Sequence, residues 1–212
     1  MSLARKLWVL GKILAVVAVG LVVVGLFLSR EYEVERSILI QAHPIKIFTQ
    51  VGILENWPAW NPWQDGTDPT YVVTLGDRTS GVGASQTCTS RHGAGEVRFT
   101  RTVPTQGIEY DFRFHDSWTA KAAVEFSPHE DGTLVTWRLR GRVEKPVIGG
   151  YLARMMDSMI GGMLDYGLKN LKKAVDADER ELIFDDEAED GPPMKGSLLP
   201  QAPPTPPAGA TP

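Results

Sequence analysis

Residues 108–143 read IEYDFRFHDSWTAKAAVEFSPHEDGTLVTWRLRGRV, and the main sheet can be predicted from this segment. Apolar and polar residues alternate in three parts of it. Because successive side chains of a strand point to opposite faces of a sheet, this alternation predicts strands with one covered face and one wet face. The Asp131-Gly132 pair is typical of a tight turn between the second and third strands. The segment therefore predicts an antiparallel meander whose apolar face another element must cover.

The predicted cover is a long helix at residues 148–175, together with a short helix earlier in the chain. Apolar side chains recur in residues 148–175 in steps of three and four residues, which indicates a long amphipathic helix. They are Leu152, Met155, Met156, Met159, Met163, Leu168, Leu171 and Val175. Glycines interrupt the helix and would permit bending or close approach to the sheet; they are Gly161, Gly162 and Gly167.

The chain before residue 108 adds further elements of the same domain. Residues 33–41 have the pattern of a strand, and residues 44–54 form a predicted short helix with Pro44 near its start. Short strands follow, separated by turn residues, near 70–75, 84–90 and 96–103. We therefore expect an α+β domain with a mostly antiparallel sheet.

An apolar segment precedes the domain. Residues 7–28 contain a single charge, Lys12, and at ~1.5 Å per residue they would form a helix of about 33 Å, enough for a hydrocarbon core of ~30 Å. A cleaved signal peptide is the alternative, with an apolar region of about 7–15 residues and a small-x-small cleavage site. The apolar run here is slightly longer and no Ala-x-Ala follows it, so we favour an uncleaved anchor.

The charges beside this segment predict its orientation. Arg5 and Lys6 precede it, whereas Arg30 and Arg36 follow it among glutamates. Because positive flanks stay in the cytoplasm, we expect a single-pass protein with a cytoplasmic N-terminus. The domain would then lie on the extracytoplasmic side, which is the periplasm in a bacterium.

Three parts are thus expected: an anchor at residues 1–30, a domain at 31–177 and a tail at 178–212. The tail is acidic and then proline-rich. Such a stretch buries too little apolar area to offset its ordering entropy, so we expect disorder. Recruitment of a protein partner through the prolines stays open as an alternative.

Composition argues against several classes of function. The net charge is -4 and no basic cluster is present, which argues against a nucleic-acid partner. The one cysteine, Cys88, excludes an intramolecular disulfide and a thiolate-rich metal site. The histidines lack a metal-binding spacing; they are His43, His92, His115 and His129. We expect no metal, no cofactor and no catalytic residue.

The order of the elements resembles the START-like helix-grip superfamily, and more narrowly the polyketide cyclase/dehydrase and lipid-transport family of SRPBCC domains. The resemblance extends over about residues 33–174. The stretches that carry it are Val34 to Ile40, Ala42-His43-Pro44, Asn56-Trp57, Trp60-Asn61-Pro62-Trp63, Ser80 to Ala84, Gly93 to Glu96 and Gly-Thr-x-Val-Thr-Trp at 132–137. It implies a helix-grip fold, in which a curved seven-stranded antiparallel sheet wraps around the long C-terminal helix. Here one transmembrane helix would precede that fold.

The resemblance also implies a function. The residues alone favour a solid core, whereas the family has an apolar cavity that binds lipids, sterols, polyketides or other apolar molecules. A minority of its members catalyse cyclisation or dehydration, without a universal catalytic triad. We therefore expect membrane-tethered binding or transport of a hydrophobic small molecule or lipid, and binding rather than catalysis. A cyclase/aromatase-type enzyme and an interaction protein using the proline-rich tail are the alternatives.

The candidate cavity lining consists of aromatic and methionine side chains on the predicted inner faces. Arg101 alternates with Phe99 and Val103, so it is predicted to point inward. There it would bind a ligand anion or, as a residue at the cavity mouth, pair with a local Asp or Glu or extend to solvent. The predicted ligand-binding residues are Trp57, Trp60, Trp63, Phe99, Arg101, Tyr110, Phe112, Phe114, Trp118, Met155, Met159 and Met163. The enzyme alternative would use Arg101, Tyr110 or Tyr71 for proton transfer.

Overall fold

The computed structural model describes residues 3–64, 68–91, 93–114 and 118–178. Three α-helices and seven strands occur in these ranges. In chain order they are α1 (Leu3–Phe27), β1 (Glu31–Ile40), α2 (Pro44–Val51), β2 (Val72–Leu75), β3 (Ser85–Ser90), β4 (Gly93–Val103), β5 (Gly107–Phe114), β6 (Trp118–His129), β7 (Gly132–Arg142) and α3 (Gly149–Ala177). A single 3-10 helix, Leu54–Ala59, follows α2. Most of the predicted tail, residues 179–212, lies outside the described residues.

The seven strands form one antiparallel sheet in the order β1-β7-β6-β5-β4-β3-β2. Burial alternates along them as the sequence predicts. In β7, Val135, Trp137 and Leu139 are buried, whereas the residues between them are partly exposed. Gly132 begins this strand with a φ of 136°, a backbone conformation that L side chains rarely adopt. The predicted fold class is confirmed.

Helix α3 packs its buried face on the inner side of the sheet. The buried residues recur at helical spacing and include Ile160, Leu164, Leu168, Leu171 and Val175. Gly167 allows a close approach, since a Cβ there would lie 2.6 Å from Cζ3 of Trp137 and 2.8 Å from Cδ of Pro62. The sheet therefore grips a helix that comes closest to Trp137 and Pro62 at Gly167.

Helix α1 contains an apolar stretch, Leu7–Phe27, of 21 residues with a mean hydropathy of 2.6. It is long and apolar enough to cross a membrane, and a signal sequence has the same properties. Its last turns contact the start of α3, where the Tyr151 hydroxyl donates a hydrogen bond of 2.8 Å to the carbonyl of Leu21. Only residues 28–30 separate α1 from β1.

Candidate ligand-binding cavity

A cavity of about 340 Å³ lies between the inner face of the sheet and α3. Ligand-binding cavities usually measure about 300–1,000 Å³, so this one suits a small molecule. It is also far larger than the ~10–15 Å³ that one water requires. Met163 and Leu164 of α3 form one side of it, and the strands and the loop after the 3-10 helix form the others.

Aromatic rings form a large part of the cavity wall. Trp57 and Tyr110 meet edge to face at 5.4 Å, and Trp63 packs on Trp137 at 5.8 Å and 86°. Phe112 and Trp118 make a similar contact at 5.5 Å. Such edge-to-face pairs contribute about 0.5–1.5 kcal/mol beyond the area that they bury. The rings thus form a rigid apolar surface.

Hydrogen bonds hold the indole groups of this wall. The Nε1 of Trp57 donates to the carbonyl of Val51 at 2.9 Å, and the Nε1 of Trp137 donates to the Tyr110 hydroxyl at 3.0 Å. Trp118 donates in the same way to Tyr32 at 2.7 Å. Because each indole N–H already has a protein acceptor, these tryptophans offer a ligand mainly their apolar surfaces.

The wall formed by β3 is polar. Gln86, Cys88 and Ser90 alternate along the strand and line the cavity, together with Tyr71 from the loop before β2. Burial, and then a hydrogen bond with the Cys88 sulfur, raise the pKa of Tyr71 above its usual range. Burial likewise raises the pKa of Tyr110. Both phenols are therefore neutral at physiological pH.

The sequence profile described as polyketide cyclase/dehydrase and lipid transport matches residues 31–176. The chain belongs to this family. The matched range begins with β1 and ends inside α3, so it contains every strand of the sheet and the described cavity lining. The resemblance inferred from the sequence is confirmed.

Solved structures of similar fold include proteins from two bacteria. A Chromobacterium violaceum protein is 16% identical with a TM-score of 0.53, and the alignment covers 69% of this chain and 99% of that chain. A protein of unknown function from Staphylococcus aureus is 13% identical with a TM-score of 0.56, at coverages of 69% and 94%. A search of curated proteins found no match.

A third similar structure is StfQ, a di-domain ARO/CYC from the steffimycin biosynthetic pathway. It is 10% identical with a TM-score of 0.54, and the alignment covers 69% of this chain and 51% of StfQ. At these identities the likeness concerns the fold, which is the helix-grip fold of the family.

The structure brings seven of the predicted lining residues to the cavity. They are Trp57, Trp63, Tyr110, Phe112, Phe114, Trp118 and Met163. Trp60 and Phe99 also point inward, but each is 1% exposed and belongs to the core behind the wall. Trp60 packs between Trp57 and Trp137 at centroid distances of 5.4 and 5.2 Å.

The predicted inward direction of Arg101 is wrong. A bulge in β4 shifts the register between Phe99 and Arg101, so the alternation changes phase after Phe99. Arg101 pairs with Glu109 across the strand at 3.4 Å and hydrogen-bonds Gln106, with 44% of its side chain exposed. It lies on the outer face, and the proposed ligand anchor or proton-transfer role in the cavity is lost.

The placement of Met155 and Met159 in the lining is also wrong. These residues are 54% and 59% exposed. At ~100° per residue, Met155 lies about 200° around the helix from buried Ala153, and Met159 lies on the solvent side as well. Methionines at three- and four-residue steps drift around α3, and among those predicted to line the cavity only Met163 reaches it.

The polar wall was not predictable from the sequence. In β3 the inward residues Gln86, Cys88 and Ser90 alternate with Thr87 and Thr89, so both faces are polar and the pattern does not distinguish them. Tyr71 lies in a loop, so strand alternation does not predict the direction of its side chain.

The outer face of the sheet has an open depression of about 1080 Å³ lined by charged residues. Arg138 is representative, since it lies within 2.7 Å of Glu35 and Glu125 and 3.1 Å of Glu33. These charges pair with one another across strands, which makes the depression an ion-pair surface. Within the described residues no group of three His, Cys, Asp or Glu is placed to hold a metal, and His92 and His115 lie outside them.

Proposed function

We propose that the chain binds a hydrophobic small molecule or lipid in the cavity between the sheet and α3, while α1 holds the domain at a membrane. The observation that carries the proposal is the cavity itself, whose lining is mainly apolar and includes packed aromatic rings. Apolar surface removed from water stabilises a complex by about 25 cal/mol per Å². The family to which the chain belongs includes lipid transport in its description, which supports the same interpretation.

Binding is favoured over catalysis by the state of the three residues that the sequence offered for proton transfer. Tyr71 and Tyr110 have raised pKa values, so neither phenol is ionised at neutral pH and neither suits a general base. Arg101, the other proton-transfer candidate, lies on the outer face. StfQ, a protein of this fold, is described as ARO/CYC; that description concerns StfQ and assigns no reaction to this cavity.

The contact between α1 and the domain supports an anchor that is retained. A Cβ on Gly25 would collide with the carbonyl of Val147, and a Cβ on Gly150 would collide with the Leu28 side chain. Close packing of this kind is expected of a helix that stays attached to the domain and not of a peptide that is removed. We therefore propose residues 1–30 as a single-pass anchor, with residues 31–177 as the binding domain on the extracytoplasmic side.

The binding proposal is tested on the full-length protein purified from membranes. We expect organic extraction and mass spectrometry to find an apolar compound in near-stoichiometric amount. Met163→Trp replaces a flexible side chain by a bulkier indole that would fill part of the cavity, and it should abolish this enrichment. Met159→Trp, one turn away and exposed, is the matched control and should retain it.

Two results would count against the binding proposal. One is a wild-type protein without any enriched compound; the other is equal enrichment in both tryptophan variants, which would locate the compound outside the cavity. The anchor is tested separately by the intact mass of the membrane-extracted protein. A mass lacking residues 1–30 would identify a cleaved signal peptide instead.

A further inference from the structure

The carboxamide of Gln86 is a buried polar group on the polar wall of the cavity. Gln86 is 3% exposed, and its Oε1 atom has no hydrogen-bond partner among the described residues. Buried side-chain oxygens in native proteins are nearly always hydrogen-bonded, and one without a partner requires an explanation. Since Gln86 lines the cavity, a bound molecule is the natural source of the missing donor.

The strand holds this group in place. Gln86 pairs with Leu75 of β2 on one side and with Val97 of β4 on the other. Because both neighbours fix its backbone, the carboxamide cannot leave the interior without disruption of the sheet. Rotation about its terminal bond exchanges the positions of oxygen and nitrogen, so the group can present an acceptor to the cavity.

The other walls determine what the rest of the ligand must be. The aromatic surface is formed by Trp57, Trp63 and Trp137. The indole N–H groups of Trp57 and Trp137 are bonded within the protein, and the ring of Trp63 packs edge to face on Trp137. Such surfaces favour rings or hydrocarbon chains. The cavity thus combines a large apolar wall with one unsatisfied acceptor.

We propose that Gln86 determines ligand specificity, selecting an apolar ring compound that carries a hydroxyl group over the same compound without one. The inference rests on the proposed function, since it assumes that the cavity is a binding site. The hydroxyl donates a hydrogen bond to Oε1 of Gln86 while the rings pack on the indoles. The ligand hydroxyl is then buried with a hydrogen-bond partner, and Oε1 of Gln86 gains the donor that it lacks.

A matched pair of probes tests this proposal. 2-Naphthol and 2-methylnaphthalene have nearly the same shape, and they differ in a hydroxyl against a methyl group. Binding is measured by equilibrium dialysis of the full chain in phospholipid nanodiscs, with empty nanodiscs of the same lipid as the correction for partitioning. We expect the wild type to prefer 2-naphthol by about fivefold or more after this correction.

Gln86→Met keeps the length of the side chain and removes the acceptor. It should reduce the preference to about one, with 2-methylnaphthalene binding retained or strengthened as evidence that the variant is folded. Gln106→Met, on the exposed turn between β4 and β5, is the control and should keep the wild-type preference.

Equal binding of the two probes by the wild type, or an unchanged preference in Gln86→Met, overturns the role of Gln86 and leaves the binding function standing. Failure of the wild type to bind either probe, together with the absence of a co-purified compound, overturns the binding function as well. The two failures are therefore distinguishable.

Discussion

Substitution of Gly167 by alanine tests the packing on which the cavity depends. The added Cβ would lie 2.6 Å from Cζ3 of Trp137 and 2.8 Å from Cδ of Pro62. Ordinary carbon contacts are about 3.5–4.0 Å, so the overlap is about 1 Å. Trp137 is fully buried and Pro62 is a rigid ring in a buried loop, and neither can move aside easily.

Gly162→Ala isolates the cost of this overlap. Gly162 lies five residues earlier in the same helix and has nothing within 4 Å of the site of its Cβ. Replacement of a helical glycine by alanine contributes about 0.5–1 kcal/mol at either position. Overpacking costs about 1–3 kcal/mol at Gly167 alone. The difference between the two variants is therefore the packing cost, about 1–3 kcal/mol.

The measurement is thermal unfolding of the full chain in detergent, followed by near-ultraviolet circular dichroism. A change of 1 kcal/mol shifts Tm by about 2–4 °C in a domain of this size. Gly167→Ala should therefore melt about 2–12 °C below Gly162→Ala, and Gly162→Ala should melt slightly above the wild type. If Gly167→Ala melts at or above Gly162→Ala, α3 does not approach Trp137 as closely as described.

Three further predictions concern single side chains. Tyr110→Phe leaves the buried Nε1 of Trp137 without its acceptor and should lower the free energy of unfolding by about 1–3 kcal/mol in urea titrations; no loss would mean that Trp137 has another acceptor. Arg36 holds the pKa of Asp157 below its usual range, so stability from this pair is present above the ordinary aspartate pKa of ~3.9 and is lost as pH falls further. Melting curves between pH 7 and pH 2 should therefore show an acid-dependent loss in the wild type that is smaller in Asp157→Asn, and equal losses would contradict the ion pair. Arg101→Gln should change probe binding in the dialysis assay by less than about twofold, because an exposed ion pair on the outer face contributes only ~0–1 kcal/mol. A large loss of binding would mean that Arg101 contacts the ligand.

The faces of the sheet were predictable from the sequence wherever one side is apolar and the other polar. Val135, Trp137 and Leu139 are an example, since their alternation with charged and hydroxyl side chains agrees with their burial in β7. The buried side of α3 follows from helical spacing in the same way. These patterns indicate which surface is removed from water, and burial of apolar surface is the dominant favourable contribution to the free energy of folding.

Features that change when a strand or helix shifts by a single residue were not predictable from the sequence. The bulge near Phe99 reverses the direction of Arg101, and the residues around it do not predict a bulge. The exposure of Met159 depends on the exact angular position of α3 against the sheet. In β3, where both faces are polar, only the neighbouring strands determine that Gln86 lies inside.

The short connection between α1 and β1 limits where the domain can reach. Residues 28–30 extend at most about 11 Å at ~3.6 Å per residue. With α1 as the proposed anchor, the domain could not carry the proposed ligand to a second bilayer. A ligand must then enter from the surface of the bilayer that holds the protein, or be exchanged directly with a diffusing partner that comes to it.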